Sequence, residues 1–402
     1  MKVIHLVTED CYGAGKAAQR ISNSVSKEFE SKVFVLRNIG KSDVEVINVP
    51  RYLNFIQKVY RKLNEYETNR FSNGNLFHIE KRGIGFGFFL KKEKPDIIHI
   101  HYLNDGFFSY KLMNVMATLK IPVIWTLHDM WPFTGGCHYD QMCGQYKKDC
   151  SFCKQFTQKS LPIVSLKKKS KLFKDITWVG CSEWITKEFN NSWLGSIASK
   201  KCDTIPNPIN MKFLEEYEYK NDDSKKIILF GAVNPLKDKR KGLLYLIEAL
   251  KFLDKEKYKL YYFGDDLKRD LFSGFEVKSL GYINSEKEII KIYRQAHVFV
   301  APSIQENLAN TVMESLACGT PTVAFDIGGM RDMICDGLNG YLTKPFDEHM
   351  LAFNIERAAK LKENYRAIQD FLRTNFSAEK VGKMYIDKYK QIISRSEKTL
   401  IS

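Results

Sequence analysis

Short apolar segments rich in valine and isoleucine alternate with longer segments of mixed polarity along the whole chain. The apolar segments cover residues 3–7, 32–36, 97–101, 123–127, 178–180, 227–230, 260–263, 298–301 and 322–325. Helical patterns lie between them, at residues 15–28, 243–253, 286–295 and 311–317. Strands that are apolar throughout are typical of a parallel sheet covered on both faces. The alternation of strands and helices therefore predicts an α/β protein with two doubly wound, Rossmann-like domains.

The segment Ile205-Pro206-Asn207-Pro208 marks the predicted domain boundary, because two prolines in three residues stop regular structure. The length of 402 residues also suits two domains better than one. We predict a first domain over residues 1–205 and a second over 206–378. A charged, amphipathic helix over 379–402 is predicted to cross back to the first domain.

The formal net charge of +15 comes with clusters of basic residues. The clusters are Lys91, Lys92 and Lys94; Lys167, Lys168, Lys169 and Lys171; and Arg51, Lys58, Arg61 and Lys62. Two interpretations stay open: a solvated surface, or docking to anionic lipid head groups. Nucleic-acid binding ranks third, since no nucleic-acid-binding module is recognisable.

The distribution of apolar residues predicts a cytoplasmic protein. No apolar run reaches the roughly 18–20 residues that span a bilayer. The first apolar segment is too short for a signal peptide and is not followed by a cleavage site of small residues. A peripheral position at the inner face of the cytoplasmic membrane fits the basic clusters.

The densest polar chemistry lies between residues 301 and 321, where a predicted strand ends in a polar loop and a helix begins near Asn310. Ligands of open α/β sheets bind at such strand ends, and the free amides of a helix N-terminus favour a diphosphate. Glu306 falls in the loop and Glu314 in the helix. Their separation allows one carboxylate to hold ribose hydroxyls while the other meets a sugar.

Glu306 and Glu314, with the following segment Ala317-Cys318-Gly319-Thr320-Pro321, resemble the E-x7-E signature of retaining GT-B glycosyltransferases. The resemblance is narrower to glycosyltransferase family 4, the group 1 type. It implies that Glu314 binds the ribose of a nucleotide sugar and that Glu306 lies beside the donor sugar as a catalytic residue. Asn307 and Leu308 belong to the same donor-binding loop, where the family often has a glycine-rich form.

The family also binds the donor diphosphate with an arginine after a glycine and a lysine in a Lys-Gly pair. Here Gly231 is followed by Ala232, so that arginine is missing. Lys241 before Gly242 supplies the lysine, and the neighbouring Arg240 is the candidate replacement. Two cations against the diphosphate remove the need for a metal, so we predict no cofactor for catalysis.

Residues of the first domain extend the resemblance to nearly the whole chain. His128 and Asp129 follow the strand at 123–127, where the family has a His-Asp pair that reaches the donor sugar. The resemblance implies a catalytic role for His128, with Asp129 orienting it on the acceptor side. The string from Trp131 to His138 resembles family 4 enzymes of bacterial exopolysaccharide assembly, of the colanic-acid type.

The glycines of Gly13-Ala14-Gly15-Lys16-Ala17-Ala18 fit a dinucleotide-binding fingerprint only loosely, because five residues separate them from the strand and no ribose-binding acid follows. The resemblance instead assigns this segment to a loop beside donor and acceptor. Gly15 then contributes to donor binding and Gly13 to the acceptor side.

Four of the nine cysteines lie close together in the sequence: Cys137, Cys143, Cys150 and Cys153. Three interpretations stay open, namely a structural zinc site, free thiols and a redox-sensitive disulfide. A Cys-x2-Cys pair with two further thiols suits tetrahedral zinc, but the spacing is not that of a standard zinc ribbon.

These patterns together predict a metal-independent, retaining glycosyltransferase that moves a sugar from a nucleotide diphosphate sugar to a saccharide acceptor. The resemblance implies a lipid-linked acceptor and a role in bacterial surface polysaccharide synthesis. Two alternatives remain: a catalytically degenerate partner subunit and a nucleotide-sugar epimerase. The donor base, the sugar, the acceptor and the linkage do not follow from the sequence.

Overall fold

The computed structural model describes residues 1–11, 13–39, 46–48, 51–72, 77–84, 87–158, 160–219, 224–272 and 274–401. The chain forms two compact units. The first comprises Met1–Pro208 with Val381–Ser402, and the second comprises Ile209–Lys380. The sequence-based boundaries had been set after residues 205 and 378.

The described residues of the first unit form seven strands. They are β1 (Lys2–Glu9), β2 (Glu30–Arg37), β3 (Val46–Asn48), β4 (Ile97–Tyr102), β5 (Val123–Leu127), β6 (Thr177–Gly180) and β7 (Asp203–Thr204). Seven helices connect them: α1 (Gly13–Val25), α2 (Arg51–Phe71), α3 (Gly87–Glu93), α4 (Tyr110–Thr118), α5 (Ser160–Phe173), α6 (Glu183–Asn190) and α7 (Trp193–Ile197). Serine side chains cap the N-termini of α4, α6 and α7.

The first sheet is parallel throughout, in the order β3-β2-β1-β4-β5-β6-β7. From β1 to β3 the strands follow one another toward one edge of the sheet, and from β4 to β7 toward the other edge, so the order reverses between β1 and β4. In an open α/β sheet, this switch point leaves a crevice at the carboxyl ends of the strands, where ligands bind. The ends of β1, β4 and β5 are therefore the first place to look for chemistry in this unit.

In the part of the second unit that the structure describes there are six strands. They are β8 (Lys226–Ala232), β9 (Tyr258–Gly264), β10 (Val277–Ser279), β11 (Val298–Ala301), β12 (Thr322–Phe325) and β13 (Gly340–Thr343). Its helices are α8 (Leu243–Leu250), α9 (Glu286–Gln295), α10 (Asn310–Ala317), α11 (Met330–Met333), α12 (Glu348–Leu361) and α13 (Tyr365–Phe376). The parallel sheet has the order β10-β9-β8-β11-β12-β13, with its switch point between β8 and β11.

The last helix, α14 (Ala378–Ile401), belongs to the first unit over most of its length. Tyr385 and Tyr389 are fully buried there with Val3, Ile97 and Ile124 of the sheet. Burial of so much aromatic and aliphatic surface attaches the helix to its unit through the hydrophobic effect.

The structure confirms the predicted fold class. Every strand predicted from an apolar run is present, whereas β3, β7, β10 and β13 were not predicted. β3, β7 and β10 have only two or three residues each, and β13, Gly340–Thr343, has only two apolar residues between a glycine and a threonine. Among the helices that the structure describes, none is long and apolar enough to cross a membrane.

Candidate functional site

The switch point of the second sheet holds the predicted donor loop. β11 ends at Ala301, and the loop from Pro302 to Ala309 leads into α10. The neighbouring strand β8 leads into a basic turn, Lys239–Lys241, before α8. Both connections leave the carboxyl ends of the two strands where the order reverses, which is the ligand-binding position of an open α/β sheet.

Glu306 is the centre of an ion-pair cluster in this loop. Its Oε2 accepts a hydrogen bond from Lys241 Nζ at 2.8 Å and another from Arg240 Nη1 at 2.9 Å. Arg240 is also held by Asp238 Oδ2 at 2.9 Å and by the Gln305 carbonyl at 3.1 Å. The structure therefore brings together three of the predicted donor-site residues: Arg240, Lys241 and Glu306.

Two glycines allow the backbone to pack around this cluster. Gly328 has φ +54°, and a Cβ at this position would lie 1.7 Å from the Glu306 carbonyl oxygen. Gly242 has φ +71°, and its Cβ would lie 1.7 Å from the Pro302 carbonyl oxygen. Only glycine fits either position. Gly328 therefore lies against the backbone of the loop that carries Glu306.

The other predicted donor residues are buried at the same end of the sheet. Glu314 lies on the second turn of α10 with 7% of its surface exposed. The pKa of the neighbouring Tyr293 is raised by burial and, in addition, by the negative charge of Glu314. Asn307 and Leu308 are 2% and 8% exposed. A carboxylate buried to this degree needs polar partners, since an unpaired buried charge is costly.

In the first unit, four histidines lie next to one another: His5 on β1, His99 and His101 on β4, and His128 directly after β5. His128 Nε2 lies 3.0 Å from His101 Nδ1, and His101 Nε2 lies 3.0 Å from His5 Nδ1. His99 bonds the Tyr389 hydroxyl at 2.6 Å and the Thr126 hydroxyl at 2.7 Å. Burial lowers the pKa of His5 to about 3 and that of His128 to about 4, so both are neutral at pH 7.

Asp129 holds a different histidine from the one predicted. Its Oδ2 accepts a hydrogen bond from His138 Nδ1 at 2.6 Å, and its Oδ1 accepts one from the Trp131 N–H at 2.9 Å. Its charge favours protonation of His128, but the hydrogen bond that orients a ring goes to His138. The prediction that Asp129 orients His128 is therefore replaced by a pair of Asp129 and His138, because the loop after β5 folds back on itself.

His78 and Asp105 lie beside that pair. His138 Nε2 is 2.6 Å from His78 Nδ1 and 3.1 Å from Asn104 Nδ2. His78 Nε2 in turn is 3.7 Å from Asp105 Oδ1, while Arg37 donates to Asp105 Oδ2 at 2.7 Å. These groups form a polar surface at the carboxyl end of the first sheet.

Glu80 fixes the backbone next to this polar surface. Its carboxylate accepts the backbone N–H groups of Asp105 and Gly106 at 2.9 and 3.1 Å, and the Asn64 amide at 2.9 Å. The left-handed φ of +61° at Asp105 is maintained by these bonds.

The two predicted glycines of the first unit lie at the start of α1. Gly15 is buried, and a Cβ there would lie 2.0 Å from the Glu9 carbonyl oxygen. Gly15 therefore permits the close approach of the helix to β1. Gly13 is exposed as the first residue of the helix.

The four clustered cysteines are all free thiols in the structure. Within the described part of the chain, the one group of three or more histidine, cysteine or acidic side chains with ligand atoms within 4.8 Å is His5, His99 and His101. The structure therefore does not bring three of the four sulfurs together for zinc. In that group, both ring nitrogens of His99 are already hydrogen-bonded to the hydroxyls of Tyr389 and Thr126.

Lys169 corrects the prediction of a basic surface cluster at 167–171. It is fully buried, donates to the Trp131 carbonyl at 2.5 Å and lies 4.1 Å from the Trp131 ring centroid. Burial lowers its pKa to about 7. Lys167, Lys168 and Lys171 remain exposed.

Sequence reasoning missed His78, Asn104 and Asp105 and gave His138 no role of its own. Asn104 and Asp105 follow the predicted strand at 97–101, so the rule that ligands bind at strand ends would have indicated them. His78 lies far from any strand end in the sequence and carries no such signal.

Two family models match the chain. The model described as "Glycosyl transferases group 1" matches residues 224–360 in the second unit. The model described as "Glycosyltransferase Family 4" matches residues 43–213, which end five residues into the second unit. Together they cover most of both units.

Curated relatives and solved structures agree with these matches. An uncharacterized glycosyltransferase of Methanocaldococcus jannaschii is 26% identical over 325 residues, covering 76% of this chain and 81% of the relative. The putative colanic acid biosynthesis glycosyl transferase WcaC of Escherichia coli is 23% identical, covering 60% of this chain and 62% of that protein. The crystal structure of Anabaena HepE with UDP and glucose has a TM-score of 0.64 at 16% identity, covering 97% of this chain and 99% of that one.

Proposed function

Since the chain belongs to the family 4, group 1 glycosyltransferases with the GT-B fold, we propose that it transfers a sugar from a nucleotide diphosphate sugar to a saccharide acceptor. We also propose that the acceptor is lipid-linked and that the product is a bacterial surface polysaccharide. The similarity to WcaC, a putative colanic acid biosynthesis enzyme, supports this choice of pathway class.

The Glu306–Lys241–Arg240 cluster is the observation that carries the proposal. In this scheme Lys241 and Arg240 bind the donor diphosphate and Glu314 binds the ribose hydroxyls. Arg240 supplies the guanidinium that is missing after Gly231, because it reaches the same loop from the turn before α8. HepE, a structural neighbour, was crystallised with UDP and glucose, which is consistent with a diphosphate nucleotide as donor.

The ion pairs also give Glu306 a role in donor binding. A diphosphate that binds Lys241 and Arg240 competes directly with the Glu306 carboxylate for both cations. Donor binding then exchanges one anion for another, which limits the desolvation cost of the cations. The released carboxylate becomes available to hydroxyl groups of the donor sugar, so an empty site keeps its cations paired and a filled site directs Glu306 to the sugar.

The reaction proposed is retaining and independent of metal. The bond between the anomeric carbon and the phosphate oxygen breaks, a bond from the acceptor oxygen to the same face of that carbon forms, and the acceptor proton passes to the departing phosphate oxygen. Two cations facing the developing diphosphate charge supply the main stabilisation. His128 is neutral at pH 7, so its role is to hydrogen-bond the sugar rather than to pair with charge.

Binding of nucleotides to Glu314→Gln tests the proposal. We would titrate the wild type, Glu314→Gln and the control Glu256→Gln with UDP, GDP and ADP in EDTA. Glu256 is a suitable control because it is a glutamate of the same unit whose side chain is 89% exposed. Loss of a charged hydrogen bond to ribose predicts about 10- to 100-fold weaker binding in Glu314→Gln alone.

The 2′,3′-dideoxy form of the best nucleotide completes that test. It should bind the wild type as weakly as the full nucleotide binds Glu314→Gln, and the variant should not distinguish the two. Binding that is unchanged in Glu314→Gln would exclude the ribose role. Tight nucleotide binding without transfer to any acceptor in a membrane extract would favour the degenerate partner subunit, and conversion of the donor sugar alone would favour the epimerase.

Helix α2 supports the membrane part of the proposal. Its exposed apolar side chains are Phe55, Ile56, Val59, Leu63 and Tyr66. At 3.6 residues per turn they lie within an arc of about 100°. The exposed Lys58 and Lys62 lie beside that arc. An apolar stripe with flanking lysines is typical of a helix that lies in the interface of an anionic bilayer.

Vesicle binding tests this role of α2. We expect the protein to sediment with vesicles that contain phosphatidylglycerol and to be released by salt, because part of the attraction is electrostatic. Phe55→Ser with Tyr66→Ser should weaken binding, whereas Leu244→Ser, an exposed leucine of the second unit, should not. Equal binding of both variants would refute docking through α2.

A further inference from the structure

The Asp129–His138–His78 chain fixes where the protons of two histidine rings lie. The Asp129 carboxylate can only accept, so His138 Nδ1 at 2.6 Å must carry a proton. The Asn104 Nδ2 group can only donate, so His138 Nε2, which lies 3.1 Å from it, accepts and carries no proton; the same nitrogen faces His78 Nδ1. Asn104 Nδ2 and His78 Nδ1 therefore both donate to it.

The same reasoning determines the outer nitrogen of His78. A neutral ring has one N–H, and Nδ1 uses it toward His138, so Nε2 presents a lone pair. Burial lowers the pKa of His78 to about 4, which keeps the ring neutral at pH 7. About 20% of the His78 side chain is exposed to solvent.

Asp105 places a second acceptor next to this nitrogen. Its Oδ1 lies 3.7 Å from His78 Nε2, too far for a hydrogen bond between them. Arg37 occupies the other oxygen, and Glu80 fixes the backbone of Asp105. Two hydrogen-bond acceptors thus stand side by side, held by partners behind them.

We infer that His78 Nε2 and Asp105 Oδ1 bind two hydroxyl groups on adjacent carbons of the acceptor saccharide. Each hydroxyl donates one hydrogen bond, and the spacing of the two acceptor atoms suits hydroxyls that point the same way. The Asp129–His138–His78 chain determines the polarity of the site, because it makes His78 an acceptor rather than a donor. This inference rests on the proposed transferase function for the name of the ligand, but its geometry lies wholly in the first unit.

Asp129→Asn is the variant that reverses this polarity. The asparagine oxygen must stay with the Trp131 N–H, which needs an acceptor, so the NH2 group faces His138 Nδ1. His138 must then accept at Nδ1 and donate from Nε2 to His78 Nδ1. The Asn104 amide, whose NH2 group faces this nitrogen in the wild type, must rotate so that its oxygen faces it. His78 consequently carries its proton on Nε2, where it faces the acceptor as a donor.

Histidine-labelled full-length protein tests the inference by 15N NMR. In the wild type we expect His78 Nε2 to show the shift of an unprotonated nitrogen, and in Asp129→Asn that of a protonated one. The control Asp370→Asn changes an aspartate with a 64% exposed side chain and should leave the ring unchanged. A protonated Nε2 in the wild type would overturn the inference, as would an identical spectrum in Asp129→Asn.

Binding of methyl hexopyranosides provides the second measurement. A panel with gluco, galacto and manno configurations should include at least one that shifts the His78 resonances, and its 2-, 3- or 4-deoxy analogues should identify two adjacent hydroxyls. Asp129→Asn and His78→Phe should each weaken that binding by at least tenfold, while UDP and ADP affinities stay unchanged. If no member of the panel perturbs His78, the inference is refuted.

The two proposals fail separately in this design. Nucleotide binding that depends on Glu314, with no effect of glycosides at His78, would leave the transferase proposal standing and remove the diol site. Glycoside binding at His78 without nucleotide binding would support the diol site and contradict the transferase proposal.

Discussion

Glu306 Oε2 lies 2.8 Å from Lys241 Nζ and 2.9 Å from a guanidinium nitrogen of Arg240, so the loop itself places an anion against the two cations proposed to bind a diphosphate. An anion held by two cations organises them for a second anion of similar geometry. In the proposed function, Glu306 therefore lowers the affinity for the donor, because it competes for the two cations, and it raises the rate of transfer, because it contacts the sugar.

The substitution Glu306→Gln should separate these two effects. We expect affinity for the nucleotide diphosphate to stay within a few-fold of wild type or to increase, because the cations no longer have a competing carboxylate. Transfer should fall by roughly 100-fold or more, as is typical when a charged contact to the reacting sugar is removed. Isothermal titration and a transfer assay on the same preparation give both numbers, and a large loss of nucleotide affinity would contradict the exchange of anions.

Lys241→Met should produce the complementary result. Nucleotide diphosphate binding should weaken by about 10- to 100-fold, whereas binding of the nucleoside alone should be unaffected. The salt dependence of nucleotide affinity should also decrease, since one cation is lost. Lys251→Met, an exposed lysine on the same unit paired with Glu248, serves as the control. Equal loss of nucleoside and nucleotide affinity would indicate damage to the fold.

Gly328→Ala should destabilise the second unit and displace the donor loop. An alanine at this position would have to adopt a left-handed φ of +54°. Its Cβ would also lie 1.7 Å from the Glu306 carbonyl oxygen. Gly337→Ala is the matched control, because it has φ +79° but its nearest neighbour is 4.0 Å away. Backbone strain predicts about 1–2 kcal/mol for the control and clearly more for Gly328→Ala, measured by urea unfolding. Equal losses would show that the donor loop adjusts freely.

The sequence predicted the fold and the strand, loop and helix around Glu306 because these depend on local signals. The run at 298–301 is buried and apolar at every position, and the run at 322–325 is buried throughout and apolar after Thr322. The bond between Glu306 and Arg240 could not be predicted, because it depends on how two loops separated by 66 positions fold over adjacent strands. The pairing of Asp129 with His138 rather than with His128 likewise depends on the path of a loop that has no periodic pattern.

The buried histidines predict a steep loss of stability in acid. Their folded pKa values, about 3 for His5 and about 4 for His78 and His128, lie below the ordinary 6.5. Between these limits the unfolded chain binds more protons, so the free energy of unfolding falls as pH falls from 6.5 toward 4. Each such histidine contributes up to about 1.4 kcal/mol per pH unit to that slope. His5→Phe should reduce the slope by about one proton in urea unfolding at pH 4.5–6.5, whereas the exposed His349→Gln should not.

Lys169 predicts a pH dependence at the alkaline end. Burial lowers its folded pKa to about 7, against an ordinary value of 10.5, so the folded chain binds fewer protons than the unfolded chain between pH 7 and 10.5. Its contribution to stability is therefore lowest at pH 7 and below, and it increases as pH rises through this window. Lys169→Met removes this dependence and also removes the hydrogen bond to the Trp131 carbonyl. From pH 7 to 9.5, the unfolding free energy of the wild type should therefore increase relative to that of Lys169→Met. The increase should be up to about 1.4 kcal/mol per pH unit. Lys167→Met, at an exposed position of the same helix, should show no such trend, and a flat difference for Lys169→Met would mean that the ammonium remains charged in the folded chain.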